Sequence, residues 1–180
     1  MRLTERIVTL DRGLAGAGLP HAFGGAIALA YCTASPRGTD DIDVNIFVGT
    51  RRLDEVLAAL PEGVTITDAD RRQLRRAGQA RLFWDRTPVD VFLSNHPFHG
   101  RAELQTRLQP FESIEIPVLA CIDLAVFKTF FARGKDAVDI AEMVKAGCVD
   151  LDELTDLVHG LIGEERQSFL ADVERFSHEA

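Results

Sequence analysis

Hydrophobic and polar positions change period several times along the chain, and each change marks an element. Leu3, Ile7, Leu10 and Leu14 recur at helical spacing, and the stretch from Gly16 to Pro20 ends that helix. A short extended run, 21–23, leads into Gly24-Gly25, after which residues 26–31 read as a helix. Pro36 and Gly38 mark a loop. Beyond it Ile42, Val44, Ile46 and Val48 alternate with Asp41, Asp43 and Asn45, the period-2 signature of a strand with one polar face. Residues 51–60 read as helix, 63–67 as a short strand and 68–77 as helix. Two extended runs, 79–84 and 89–93, flank Asp85-Arg86-Thr87-Pro88, which has the chemistry of a hairpin turn. From Arg101 onward the pattern is helical, over 120–132, 135–146, 150–159 and 163–176, with one extended interruption from Ser113 to Pro117. The sequence carries no internal repeat and no low-complexity linker. These elements predict an α+β fold: a mixed β-sheet flanked by helices over residues 1–117, and a helical C-terminal region, 118–180, packed on that core.

Composition narrows the class. The 180 residues are 46% hydrophobic and 27% charged, a globular balance that excludes a disordered or fibrous chain. The apolar stretch from Gly24 to Cys32 is far short of a membrane span. Glu5 and Asp11 among the first arginines argue against a secretory signal. Cys32, Cys121 and Cys148 are widely separated with no metal-type spacing; Cys32 and Cys121 lie in apolar runs and read as core fillers of a reduced, cytoplasmic protein.

The net charge of -8 is uneven. Residues 150–180 hold nine acids and two arginines, so the remainder is almost neutral and nucleic acid is not excluded as a partner. Residues 71–86 carry Arg71, Arg72, Arg75, Arg76, Arg81 and Arg86 against Asp85 alone. Such a strip holds phosphates or is simply a solvated face.

The chemistry concentrates in acids. On a strand, Asp41 and Asp43 point to one side about 6–7 Å apart, a natural place for a hard cation such as Mg²⁺. Asp90 sits between Val89 and Val91 in an apolar strand, where a buried acid needs a partner. If its strand neighbours that of Asp43, three carboxylates meet and a divalent cation would neutralise them. The rival is a pair with Arg81 or Arg86. Gly24-Gly25, between a strand and a helix, lets a phosphate approach backbone N–H groups at a helix N-terminus.

Taken in order, the strand, Gly24-Gly25, the helix, Arg37-x-Thr39, Asp41-x-Asp43 and Val89-Asp90-Val91 resemble the polymerase-β-like nucleotidyltransferase superfamily. The resemblance implies that Gly24 and Gly25 contact the triphosphate of an NTP, with Arg37 and Thr39 beside them. It also implies that Asp41, Asp43 and Asp90 hold Mg²⁺ or Mn²⁺. Farther on, Lys128 followed by Asp136-x-x-Asp139 resembles the AbiEii-type toxins of type IV toxin–antitoxin pairs. By that resemblance Lys128 contacts nucleotide phosphates, and Asp136 and Asp139 complete the site. The plain alternative for Lys135, Asp136 and Asp139 is exposed charge near a helix N-terminus. Gly25 stands where relatives of the superfamily carry serine, which removes a hydroxyl, and the chain is short for an AbiEii-like toxin.

The expected activity is metal-dependent transfer of NMP from an NTP to an acceptor hydroxyl. The resemblance points to RNA, a tRNA 3′ end, as acceptor, guided by Arg71 to Arg86, with a cognate antitoxin as protein partner. Two rivals stand beside it: a small-molecule, aminoglycoside-like acceptor, and a non-catalytic interaction module.

Overall fold

The computed structural model describes residues 1–36 and 38–179. They form two compact units: residues 1–27 with 38–119, and residues 28–36 with 120–179.

The first unit is built on a seven-stranded mixed sheet. Its strands are β1 (His21–Phe23), β2 (Ile42–Ile46), β3 (Val64–Thr65), β4 (Gln79–Trp84), β5 (Thr87–Leu93), β6 (Arg107–Phe111) and β7 (Ile114–Val118), in the order β3-β4-β5-β2-β1-β7-β6. The pairs β2/β5 and β1/β7 are parallel; the other neighbours are antiparallel. Helices α1 (Leu3–Gly16), α3 (Leu53–Ala59), α4 (Asp68–Ala77) and α5 (Phe98–Gln105) belong to the same unit, and α2 (Gly25–Thr33) begins in it. The α+β architecture expected from the sequence is the one found.

Local chemistry explains the elements that matter for the site. In β2 and β5 every second residue is apolar and fully covered: Ile42, Val44 and Ile46, and Val89, Val91 and Leu93. Asp43 and Asp90 fall on the opposite phase and are half-buried, so Asp90 is not the deeply buried acid its apolar neighbours suggest. Helix α4 starts and stops as predicted, because Thr67 and Asp70 cap each other's backbone N–H groups and Gly78 takes φ +68 at the C-terminal end.

The structure departs from the sequence reading at two hairpins. The β4–β5 turn contains only Asp85 and Arg86; Thr87 pairs with Trp84, and Pro88 is already in the strand. The single extended interruption at 113–117 is half of the β6–β7 hairpin. Strand β6 escapes periodicity because it is an edge strand with mostly uncovered side chains, and its Pro110 is tolerated where no neighbour needs the missing N–H.

The second unit contains the rest of α2 with α6 (Cys121–Phe131), α7 (Gly134–Lys145), α8 (Leu151–Ile162) and α9 (Gln167–His178). The residues expected as a continuous helix over 163–176 begin with a turn of 3₁₀ helix, Gly163–Arg166. Cys32 and Cys121 are not reduced core fillers: they form a disulfide across 89 residues, joining the last turn of α2 to the first residue of α6. Separation along the chain gave no hint of this, because the helix ends meet only in the folded unit. Among the described residues no helix is long and apolar enough to cross a membrane.

A cross-link closing a loop of this length removes much of the unfolded chain's freedom. Opening it is expected to cost about 4.6 kcal/mol by chain entropy. Thermal unfolding with and without a phosphine reductant, in the presence of a chelator, should therefore show a clear drop in Tm.

Candidate functional site

Sheet register assembles the acidic site. Asp43 on β2 lies directly beside Asp90 on the parallel strand β5, and Arg81 on β4 lies opposite Asp90 from the other side. Arg81, Asp90 and Asp43 thus form a row across three neighbouring strands on one face. The Arg81 guanidinium grips Asp90 with two bonds, Nε to Oδ1 at 2.8 Å and an Nη to Oδ2 at 2.7 Å. The same Nη reaches Asp41 Oδ2 at 3.3 Å. The hydrogen bond to Asp90, with the charges of Asp90, Asp41 and Asp43, pushes the Arg81 pKa still higher than usual. Of the two sequence-based expectations for Asp90, the arginine partner is present in Arg81; the register also sets Asp43 beside Asp90, but the oxygens of Asp41, Asp43 and Asp90 do not all converge within 4.8 Å of one another. Arg86, the other candidate partner, is an exposed turn residue.

The row leaves charge over. Three carboxylates face one guanidinium, which leaves two negative charges uncompensated and repelling one another there. Each acid retains oxygen lone pairs, and all donors are hard. That set fits Mg²⁺ or Mn²⁺. Arg81 occupies the same carboxylate oxygens a cation would use, so it is a counter-charge of this site rather than part of a phosphate-binding strip.

The glycine pair presses against Asp43. Gly24 N–H donates to the Asp43 carbonyl at 2.9 Å, so it is spent on the sheet. A Cβ at Gly24 would come within 3.2 Å of Asn45 Nδ2 and 3.3 Å of Leu119 Cδ1. Gly25 opens α2 with φ +52, and a Cβ there would run into the Asp43 carboxylate. This is why glycine, and not serine, occupies the position: the acid stands where a side chain would be. The first-turn N–H groups of α2 have no acceptor within their own helix and remain suited to an anion. Thr39 braces Asp41, its hydroxyl accepting from Asp41 N–H at 3.2 Å. Arg37 lies outside the described residues.

Lys128, Asp136 and Asp139 come together inside the second unit. Helix α6 stops at Ala132, which has φ 49, so no continuous helix runs through Gly134. Packing of α6 on α7 brings the groups into contact instead: Lys128 Nζ donates to Asp139 Oδ2 at 2.6 Å and lies 3.5 Å from Asp136 Oδ1. Arg133 adds a second cation on Asp136, with Nε to Oδ2 at 2.7 Å. Asp136 and Asp139 are buried, contrary to the expectation of exposed helix charges; Lys135 is exposed as expected. Burial alone would raise the Asp136 pKa, but the Arg133 hydrogen bonds and the Lys128 charge outweigh it and lower the value. Asp136 therefore stabilises the fold at neutral pH, and that contribution is lost as pH falls through its lowered pKa.

The arginines of the strip, and the polar groups elsewhere in the chain, scatter. Arg71, Arg72, Arg75 and Arg76 are exposed on α4, with Arg75 held by Asp54 at 3.3 Å. His99 is buried in α5, which lowers its pKa, while His96 is half-buried. Asp123, in the first turn of α6, is fully buried.

With this geometry in view, the fold is of the nucleotidyltransferase-like type, a mixed sheet flanked by helices. Among solved structures, the chain is similar to the antibiotic-resistance factor ANT(2'')-Ia in solution, with TM-score 0.63 and 12% identity over 97% of this chain and 96% of that one. A weaker likeness, TM-score 0.48 at 14% identity over 95% and 92%, is to an antigenic nucleotidyltransferase-like protein from Paracoccidioides brasiliensis. No protein-family model matches the sequence, and no curated protein matches it.

Two outcomes follow from this arrangement. Gly25→Ser forces a side chain into a left-handed backbone, at about 1–2 kcal/mol, and into Asp43; urea unfolding should show a loss at least that large. Arg81→Gln removes the counter-charge of three acids. It should cost about 1 kcal/mol of stability at neutral pH, a small figure because the pair is half-exposed. The same variant should bind Mn²⁺ more tightly than the parent, since no guanidinium has to be displaced. Unchanged Mn²⁺ affinity in an EPR titration would count against these acids as cation ligands.

Proposed function

We propose that the protein is a metal-dependent nucleotidyltransferase, joining the NMP of an NTP to an acceptor hydroxyl with release of pyrophosphate. The observation that carries this reading is the register of Asp43 beside Asp90, with Asp41 tied to the same guanidinium and a glycine turn packed on Asp43. Asp41, Asp43 and Asp90 would hold Mg²⁺ or Mn²⁺, which when bound neutralises the triphosphate and eases ionisation of the attacking hydroxyl. Asp90 would accept the hydroxyl proton once Arg81 has released it. The N-terminal turn of α2 orients the phosphates, and Gly25 allows them to approach the backbone. Arg81, displaced from the acids, is free to pair with a phosphate oxygen. Lys128 acts in this reading as the anchor of Asp136 and Asp139, because contacting a phosphate would require breaking two buried ion pairs. Such a reaction belongs where NTPs are, in the cytoplasm.

The acceptor separates two versions. An RNA acceptor, a tRNA 3′ end modified by a toxin with a cognate antitoxin, draws on the exposed arginines of α4. A compact acceptor, an antibiotic-like small molecule, draws on the end-to-end likeness to ANT(2'')-Ia. We favour the compact acceptor, because Arg81 and Arg75 are already engaged by acids and the strip is thinner than the sequence suggests.

The test is a transfer assay with each radiolabelled NTP, Mg²⁺ or Mn²⁺, and either total RNA or a panel of hydroxyl-bearing aminoglycosides. Asp43→Asn should lower transfer by about 100-fold or more. Label on a small molecule, insensitive to substitution of Arg71 and Arg72, supports the compact acceptor. Label on tRNA that weakens steeply with salt supports the toxin-like version. No transfer, with no metal-dependent NTP binding, would leave a non-catalytic interaction module.

A further inference from the structure

The second unit gathers all three cysteines of the chain. Cys32 ends α2, Cys121 opens α6, and Cys148 lies in the turn between α7 and α8, yet their sulfurs all lie within 4.8 Å of one another. Among the described residues this is the one group of three or more His, Cys, Asp or Glu side chains whose ligand atoms converge so closely. Two of the sulfurs share a disulfide, and the third is a thiol.

We propose that, once the Cys32–Cys121 bond is reduced, Cys32, Cys121 and Cys148 form a three-sulfur binding site for one soft or borderline cation, Zn²⁺ being the natural occupant. The chemistry balances simply. A phosphine or dithiol supplies two electrons; with a phosphine and water the products are two thiols and a phosphine oxide. The cation then replaces up to three thiol protons, which leave to solvent.

Several observations make the site workable. A Zn–S bond is about 2.3 Å, so three sulfurs on one tetrahedral ion stand about 3.8 Å apart. Sulfurs that are no longer bonded must separate to a comparable contact distance, so reduction moves Cys32 and Cys121 toward that spacing. Cys148 needs little rearrangement. Its thiol donates to the Met143 carbonyl at 3.2 Å, but the Cys148 backbone N–H donates to the same oxygen at 3.1 Å, so the carbonyl stays satisfied when the sulfur turns away. Burial raises the Cys148 pKa and keeps it a quiet thiol until a cation displaces the proton. Cys32 is buried while Cys121 and Cys148 are half-buried, which gives an inner ligand and an entry side. Asp150, Asp152 and Glu153 follow Cys148 closely in sequence and bias the local field toward cations. Three sulfurs leave a fourth position for water or an external ligand.

The probe is Co²⁺ alone, followed by Zn²⁺, added to the full chain after reduction and anaerobic removal of the reductant. One thiolate-bound Co²⁺ per chain is expected, counted by thiolate-to-cobalt charge-transfer absorption in the near ultraviolet that Zn²⁺ abolishes. Cys148→Ser should weaken binding by about tenfold or more and dim that absorption, with helical circular dichroism unchanged. Asp43→Asn should leave the absorption intact, because carboxylates do not produce it. The air-oxidised protein should lack it. The proposal is overturned if the reduced protein shows no thiolate absorption, if Cys148→Ser binds as tightly as the parent, or if the disulfide stays closed under excess reductant.

Discussion

Three carboxylates side by side repel one another, and what holds them there is the apolar reverse side of the strands that carry them. Ile42, Val44, Val89 and Val91 are completely covered, and each such burial contributes about 1.5–3 kcal/mol. Together they exceed the few kcal/mol of repulsion between acids near a surface. Because side chains alternate, the register that buries the valines is the register that sets Asp43 beside Asp90. A slip of β2 by one residue would turn Asp43 inward and Ile42 and Val44 out. The placement of these acids is therefore written in the hydrophobic face of β2 and β5 as much as in the aspartates.

The glycine turn depends on the same placement. Gly24 ties its N–H to Asp43, and Gly25 leaves the space into which that carboxylate projects. A serine at position 25 would offer a phosphate one more hydroxyl. Here the acid occupies that volume, so backbone N–H groups alone are left to meet an anion. One local conformation thus fixes both the orientation of Asp43 and the character of the adjoining anion site.

Much of this was legible from residue pattern. The alternation in 41–48 marked the acidic face of β2, Thr67, Asp70 and Gly78 bounded α4, and the apolar run around Asp90 marked a strand. What stayed hidden depended on pairing. A two-residue turn at Asp85-Arg86 sets Trp84 against Thr87 and therefore Arg81 against Asp90; reading four residues as turn conceals that partner. Strand β6 hid because an uncovered edge strand has no apolar phase. The disulfide hid because it joins separate helices, and helix spacing says nothing about which ends meet; for the same reason the grouping of Lys128 with Asp136 and Asp139 came only from a family resemblance.

The two charge clusters differ in burial and in charge balance. Lys128, Arg133, Asp136 and Asp139 balance two cations against two anions, and Asp136 is sealed from water. Removing one member would strand a buried charge, at a cost of about 3–5 kcal/mol, and no net charge remains to attract a ligand. The row of Asp41, Asp43 and Asp90 is open to solvent on one side and carries two negative charges more than Arg81 offsets. An incoming cation gains from that surplus, and the guanidinium it displaces is long, half-exposed and able to follow the phosphates. Similar residues are thus committed to the fold in one place and available for chemistry in the other, and the difference lies in charge balance and access to water.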